Sequence, residues 1–271
     1  MNESDLLLVF GASFSNHTGI TPKKPIIQVD FDPMALSKFH KVDVALWGEI
    51  SETLKIIKLE TEGKTQAIDQ REEIANRWAI WKEEKESRLR DSGDALSSIA
   101  VFDAMNKVTP ANAVIAVDVG NNTYSFGRYF EPKNQAVLMS GYLGSIGFAL
   151  PAAMGAWAAQ GHDRPIWSVS GDGGLGQYLA EITTLVKYNM NIKHIVLNNS
   201  ELGKISKEQR AAELDVWQTS LKNPSFAAYA ENCGALGIKV ERMEDLIPAM
   251  EKLRDHDGPG LLEVITDVNL I

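Results

Sequence analysis

Several features that would restrict the class of this protein are scarce or missing from its sequence. There is a single cysteine, Cys233, among 271 residues, so no disulfide can form within the chain, and this suits a reducing compartment. No apolar run reaches the ~18 residues that cross a bilayer, and no basic segment precedes an apolar one at the N-terminus. The net charge of −9 argues against a general nucleic-acid binder. We therefore expect a cytoplasmic protein that partners neither membrane nor nucleic acid.

The composition and the pattern of apolar runs predict an α/β protein. Hydrophobic residues make up 44% of the chain and charged residues 23%, which is typical of a globular protein. From residue 111 onward, short apolar runs alternate with helical patterns, as in a parallel sheet with helices on both faces. We count six strands in residues 111–271.

The first 60 residues predict a smaller α/β unit. Apolar runs indicate strands at 5–10, 25–30 and 42–46, and helical patterns occur at 31–39 and 50–59. A glycine after the first strand and an aspartate after the second are typical of half a Rossmann-like unit, although the GxGxxG motif is missing. We therefore divide the chain into a partial Rossmann-like domain (1–60), a linker and helix (61–94) and a main domain (95–271).

Two predicted strands of the main domain end on polar residues. The strand at 165–170 is followed by Asp172, and the strand at 194–197 by Asn198 and Asn199. In a parallel sheet both ends lie at the carboxyl edge, where ligands of open α/β sheets bind. Carboxylate and amide oxygens suit Mg²⁺, which usually completes its shell with phosphate oxygens. The pattern predicts a magnesium and phosphate site at this edge.

The glycines around Asp172 strengthen the phosphate prediction. Gly171, Gly173 and Gly174 let the backbone approach a phosphate closely. The helix that we predict at 175–188 would add its free N–H groups.

These residues carry a resemblance to a known family. GDG at 171–173, a spacer of 24 residues and NN at 198–199 resemble the cofactor motif of thiamine diphosphate (ThDP) enzymes. The segment GSIGFALPAA at 144–153 is similar to the segment that holds the aminopyrimidine ring in that family. The resemblance to the diphosphate-binding domain of these enzymes covers about 95–271. The spacing of the strands in 1–60 resembles the back half of the middle domain in the pyruvate oxidase and acetolactate synthase group.

The resemblance implies a role for each matching residue. Asp172, the Asn199 side chain and the main-chain carbonyl of Glu201 would bind Mg²⁺. The Gly144 carbonyl and the Ile146 N–H would contact the aminopyrimidine, and the Ile146 side chain would force the cofactor to bend. The full set implied to bind cofactor is Gly120, Asn121, Asn122, Gly144, Ser145, Ile146, Gly171, Asp172, Gly173, Gly174, Asn199, Glu201 and Leu202.

The resemblance also implies a reaction class, the decarboxylation of a small, pyruvate-like 2-oxo acid. Glu208 matches a glutamate that helps turnover in pyruvate oxidases, so we take it as a candidate catalytic residue. Lys204 departs from both subgroups, which carry an aromatic residue or methionine there. The family's middle domain holds FAD in some members and an adenine nucleotide or nothing in others, so FAD is possible here, although the sequence of 1–60 does not support it.

One part of the family's machinery has no match in this sequence. The glutamate that activates ThDP comes from a separate pyrimidine-binding domain, so we expect a homo-oligomer or a partner chain to provide it. The chain alone would then be a fragment or subunit with little activity.

Some alternatives stay open. Asn121 and Asn122 could form an Asx turn, Ile146 could be ordinary core, and Glu208 could be a surface charge. The whole chain could instead be a nucleotide-binding or regulatory module, or, with weaker support, a Mg²⁺ phosphohydrolase with Asp172 as nucleophile. The histidines at 162, 194 and 256 are expected in loops or at sheet edges, without chemistry.

Overall fold

The computed structural model describes residues 4–12, 23–64, 68–90, 95–160 and 163–269. The chain divides into two compact units, residues 1–74 and 75–271. This division falls inside the segment 61–94, which we predicted as linker and helix. The histidine at 162 lies outside the described residues.

The described residues of the first unit form a small three-stranded parallel sheet with a helix after its third strand. Its elements are β1 (Leu7–Phe10), β2 (Ile26–Asp30), β3 (Val44–Trp47) and α1 (Ile50–Thr61). The strand order is β1-β2-β3, and the core is small, centred on Leu7 and Ile26. β3 is exposed along its length, and α1 buries none of its described residues. Such exposure is what a partial α/β unit would show.

The helix predicted at 31–39 is wrong. The Asp32 N–H donates to Asp30 Oδ1 and the Met34 N–H donates to Asp32 Oδ1, each at 2.9 Å. These aspartates bond the backbone locally and hold the segment in turns rather than in a helix.

The second unit contains a six-stranded parallel sheet in the order β5-β4-β6-β7-β9-β8. Helix α2 (Arg71–Leu89) spans the division between the units, and the elements after it are α3 (Ser98–Val108), β4 (Val114–Val117), α4 (Asn121–Tyr129), β5 (Ala136–Met139), α5 (Ala149–Gln160), β6 (Ile166–Gly171), α6 (Asp172–Gln177), α7 (Glu181–Lys187), β7 (Ile192–Asn198), α8 (Gly203–Ala211), α9 (Phe226–Asn232), β8 (Leu236–Val240), α10 (Met243–Asp255) and β9 (Gly260–Ile265). The predicted parallel α/β fold and its six strands are confirmed.

Helices cover both faces of this sheet, as predicted. Ile115 and Val117 of β4 point into one apolar core with α3, α4 and α10. Val114 and Ala116 point into a second core with α5, α7 and α9. This alternation is the two-residue period of a strand buried on both sides.

The order of the strands brings the two polar ends together. β6 and β7 are neighbours, in a register that pairs Gly171 with Leu197. Asp172 therefore lies beside Asn198 and Asn199 at the carboxyl edge of the sheet.

The single helix predicted at 175–188 is instead two short helices, α6 and α7, with a break after Gln177. The Tyr178 N–H donates to the Leu175 carbonyl, and the Glu181 N–H to the Tyr178 carbonyl. These bonds span three residues, which tightens the chain into turns between the helices.

The prediction for His194 is also wrong, because it is fully buried in the middle of β7. Its Nδ1 lies 2.7 Å from Ser168 Oγ, and its Nε2 lies 2.9 Å from Ser170 Oγ, both on β6. Burial lowers the pKa of this imidazole to about 3, so it is neutral and structural. His256, at the C-terminus of α10, agrees with its predicted position in a loop.

None of the helices among the described residues is both long and apolar enough to cross a bilayer.

Candidate cofactor site at the carboxyl edge of the sheet

A cavity of about 320 Å³ lies at the carboxyl ends of β4, β6 and β7. It brings together nearly all the residues that the sequence singled out for a cofactor. Those that line it are Gly120, Asn121, Asn122, Gly144, Ile146, Gly171, Asp172, Gly173, Gly174, Asn199, Glu201 and Leu202. Ser145, which is exposed, and Glu208 are not among its lining residues.

Asp172 is the carboxylate of this cavity and is only 3% exposed. Burial raises the pKa of its carboxyl, while the Gly173 N–H, the Asn223 side chain and the Ser200 N–H lower that pKa by donating to it. Among the described residues, no three His, Cys, Asp or Glu side chains converge as a metal cluster. A cation at Asp172 would therefore take its other ligands from amides, carbonyls or phosphate, which is the oxygen set that suits Mg²⁺.

Asn199 and Glu201 stand directly after β7, next to Asp172. The Ser200 N–H donates to Asp172 Oδ2 at 2.7 Å, which ties the ends of β6 and β7 together. Asn199 Oδ1 accepts from the Glu201 N–H at 3.0 Å and keeps a second lone pair. Glu201 Oε1 is buried without a hydrogen bond, 3.6 Å from Arg210 Nη2.

The two asparagines that follow Gly120 differ in their contacts. Asn122 Nδ2 donates to the Asp118 carbonyl at 2.8 Å, so this amide fixes the end of β4. Asn121 Nδ2 lines the cavity, is buried and has no hydrogen-bond partner. A buried amide donor without an acceptor is costly, and an anionic oxygen in the cavity would satisfy it. This donor is the feature of the structure that best fits a diphosphate.

Asp118 was missed as a site residue by the sequence reasoning. Its Oδ2 accepts from the Gly147 N–H at 3.1 Å and its Oδ1 from the Phe148 N–H at 3.2 Å. It therefore connects β4 to the segment that carries Gly144 and Ile146 in the cavity. Burial raises the pKa of the Asp118 carboxyl, and these N–H groups partly offset that rise. A polar residue directly after a buried strand was the available signal.

Comparison with known proteins assigns a family to this geometry. The model of the thiamine pyrophosphate (ThDP) enzyme C-terminal TPP binding domain matches residues 118–264, and the model of the central domain of the same enzymes matches residues 1–57. The chain belongs to the thiamine pyrophosphate enzyme family. The resemblance described from the sequence is therefore confirmed.

Individual relatives of this thiamine pyrophosphate enzyme chain share about 30% of its residues. It is 31% identical to the "Putative thiamine pyrophosphate-containing protein YdaP" of Bacillus subtilis, over 98% of the chain and 46% of that protein. It is 29% identical to the acetolactate synthase large subunit of Corynebacterium glutamicum (98% and 44%) and 28% identical to the acetolactate synthase isozyme 2 large subunit of Escherichia coli (98% and 48%). The chain thus spans about half the length of the curated relatives it matches.

Glu208 lies on α8 at the margin of the cofactor cavity. Its Oε1 accepts from Lys204 Nζ at 2.6 Å, and its side chain is 59% exposed. Lys204 lines the cavity, and its Nζ lies 5.1 Å from the centre of the Tyr124 ring. The hydrogen bond that Lys204 donates to Glu208 raises the pKa of the Lys204 ammonium group. Glu208 thus reaches the cavity only through Lys204, and its catalytic role stays a prediction.

A second cavity, of about 300 Å³, lies at the opposite edge of the sheet and includes Arg164 and Lys193. Arg164 donates to the carbonyls of Asn112 and Ala113, and Lys193 Nζ to those of His256 and Gly258. These cations already satisfy carbonyls at the ends of loops and helices. Their contacts account for them structurally, without a ligand.

Proposed function

We propose that this chain binds the diphosphate end of ThDP through Mg²⁺ and forms part of an enzyme that decarboxylates a small, pyruvate-like 2-oxo acid. The observation that supports it most directly is the shared cavity of Asp172 and Asn199. One carries a buried carboxylate and the other an amide, directly after two neighbouring strands, beside the unpartnered Asn121 amide nitrogen.

The residues present fit a Mg²⁺–diphosphate group. Asp172, the Asn199 side-chain oxygen and the Glu201 carbonyl would hold the metal, since Mg²⁺ takes few protein oxygens and adds phosphate oxygens. The N–H groups at the start of α6 would face the diphosphate, where a helix N-terminus favours negative charge. Asn121 would donate to the diphosphate from α4.

The other end of the cavity would hold the aminopyrimidine ring. Gly144, Ser145 and Ile146 belong to the segment 144–153 at this end. The Asp118 carboxylate fixes the backbone of that segment by accepting from the Gly147 N–H. Ile146 would buttress the bent cofactor with its apolar side chain. When bound, ThDP would supply the electron sink for decarboxylation, and the protein would supply orientation and electrostatics.

The family and the relatives named acetolactate synthases support the proposed reaction class. We propose that the activating glutamate lies on a pyrimidine-binding domain outside residues 1–271. The one glutamate that lines the described cavity is Glu201, which sits beside the predicted metal ligand Asn199. The chain alone should therefore turn over little or no pyruvate.

Titration calorimetry with ThDP, with and without Mg²⁺, tests this proposal. We expect Mg²⁺-dependent binding that falls at least about 100-fold in Asp172→Ala, because loss of a second-shell partner alone costs about 10–100-fold. Asp163→Ala, at an exposed loop residue, is the control and should bind as wild type.

Other results would contradict the proposal. ThDP binding that ignores both Mg²⁺ and Asp172→Ala would remove the predicted metal site. Binding of an adenine nucleotide instead of ThDP, insensitive to Asp172→Ala, would favour the regulatory alternative. Pyruvate turnover by the purified chain without a partner would contradict its dependence on a second domain.

A further inference from the structure

Asn223 lies between α8 and α9 and uses one amide nitrogen to join two residues of the cofactor site. Its Nδ2 donates to Asp172 Oδ2 at 2.8 Å and to Asn198 Oδ1 at 2.9 Å. An amide nitrogen has two protons, so both are used. The opposite orientation of this amide would set its oxygen against two other oxygens, so the contacts fix which atom faces Asp172.

Asn198 is held in turn by the neighbouring strand, β9. Its Nδ2 donates at 2.8 Å to Oε1 of Glu263, a carboxylate that is only 1% exposed on β9. The other oxygen of Glu263 accepts from the Ala227 N–H at 3.0 Å. A continuous network of hydrogen bonds, buried at Glu263 and half-buried at Asn223, therefore runs from β9 through Asn198 and Asn223 to Asp172.

These hydrogen bonds leave the two carboxylate oxygens of Asp172 with different numbers of donors. Oδ2 accepts two N–H groups, from Asn223 at 2.8 Å and from Ser200 at 2.7 Å. Oδ1 accepts one, from Gly173 at 2.9 Å. Since a carboxylate oxygen has about two lone-pair sites, Oδ2 is filled and Oδ1 keeps one site open.

We propose that Asn223 is a positioning residue for the metal site, which fills Oδ2 of Asp172 and so presents Oδ1 to the cation. This inference rests on the proposed function, because it takes Asp172 as a ligand of Mg²⁺. Asn223 touches neither metal nor cofactor in this role; it acts through the orientation of the carboxylate.

The choice of metal gives a readout that a merely structural role would not change. Mg²⁺ demands near-ideal octahedral geometry, whereas Ca²⁺ accepts flexible arrangements at longer distances. A carboxylate that is free to rotate should therefore harm Mg²⁺ binding more than Ca²⁺ binding.

The experiment measures ThDP affinity by calorimetry with Mg²⁺ and with Ca²⁺ for wild type, Asn223→Ala and Asn223→Asp. Asn223→Asp keeps the size of the side chain but adds a negative charge beside Asp172, so a fall in its Mg²⁺-supported affinity would show that the lost donor outweighs the added attraction for the cation. We expect Mg²⁺-supported affinity to fall about 10–100-fold in both variants and the Mg²⁺-to-Ca²⁺ affinity ratio to fall with it. Asn232→Ala, at an exposed residue that ends α9, should match wild type.

The outcomes distinguish a failure of the Asn223 role from a failure of the proposed function. If wild type binds ThDP and both variants keep the wild-type metal ratio, the role of Asn223 is overturned while the proposed function stands. If wild type binds no ThDP with either metal, the proposed function fails and takes this inference with it. A lower ratio in both variants supports the positioning role.

Discussion

The carboxylate of Asp118 holds the backbone of Gly147, whose N–H donates to Oδ2 at 3.1 Å across 29 residues of sequence. Asp118 stands at the end of β4, and Gly147 ends the segment that brings Gly144 and Ile146 into the cavity. The position of the predicted aminopyrimidine contacts thus depends on one buried carboxylate.

Replacement of Asp118 by alanine should weaken both the fold and the site. The N–H groups of Gly147 and Phe148 would lose their acceptor, and an unsatisfied buried donor costs about 1–3 kcal/mol. We expect urea unfolding to show a loss in that range and calorimetry to show weaker Mg²⁺–ThDP binding. Asp163→Ala should change neither the free energy of unfolding nor the affinity for Mg²⁺–ThDP. Equal stability of Asp118→Ala and wild type would show that these hydrogen bonds do not stabilise the fold.

Gly174 should tolerate no side chain, because α6 passes close to the same carboxylate. A Cβ on Gly174 would lie 2.3 Å from Asp118 Oδ2 and 3.3 Å from the Gly147 nitrogen, both in the site. Gly174→Ala should therefore cost about 1–3 kcal/mol of stability, as overpacking does, and should abolish tight ThDP binding.

A matched control exists in the same helix. A Cβ on Gly176 would meet nothing within 4 Å. Gly176→Ala should therefore leave ThDP affinity unchanged and keep or slightly raise the melting temperature, since alanine favours a helix. Similar losses in the two variants would contradict the steric argument.

His194 should make the protein sensitive to acid. Burial lowers the pKa of its imidazole from 6.5 to about 3. Between these pH values the imidazole is protonated in the unfolded chain and neutral in the folded chain. Its contribution to the free energy of unfolding is therefore complete above pH 6.5 and is lost as the pH falls toward 3. By pH 4.5 the loss should be about 2–3 kcal/mol.

Urea unfolding of wild type and His194→Gln between pH 7 and pH 4.5 measures this effect. Glutamine does not titrate, so the free energy of unfolding should depend less steeply on pH in the variant. The difference in slope should correspond to the uptake of about one proton on unfolding. Parallel pH profiles for the two proteins would show that His194 is not the group responsible.

The sequence was most informative where a pattern is local. Apolar runs of strand length located the six strands, and the glycines around Asp172 predicted backbone that lines a cavity, where Gly171, Gly173 and Gly174 are found. The neighbouring positions of Asp172 and Asn199 followed from the rule for parallel sheets, because β6 and β7 are consecutive strands that pair.

The sequence was less informative where a role depends on distant contacts. Asn223 meets Asp172 across 51 residues, and Asp118 meets Gly147 across 29, so neither pattern is visible locally. Helix α4 was missed because few apolar residues follow Gly120, although Phe126 and Tyr129 do share one buried face. His194 was misplaced because its run was read as starting at the histidine, whereas β7 starts at Ile192.

Glu208 and Lys204 give a test that separates cofactor binding from turnover. Glu208 is largely exposed and lies outside the cavity lining, so its ion pair with Lys204 should add less than about 1 kcal/mol to stability. Glu208→Gln should therefore keep the wild-type melting temperature and ThDP affinity. If its predicted catalytic role holds, the assembled enzyme carrying Glu208→Gln should show a lower kcat for the 2-oxo acid at unchanged ThDP affinity. Wild-type kcat in that variant would mark Glu208 as a surface charge, and weaker ThDP binding would mark it as part of the cofactor site.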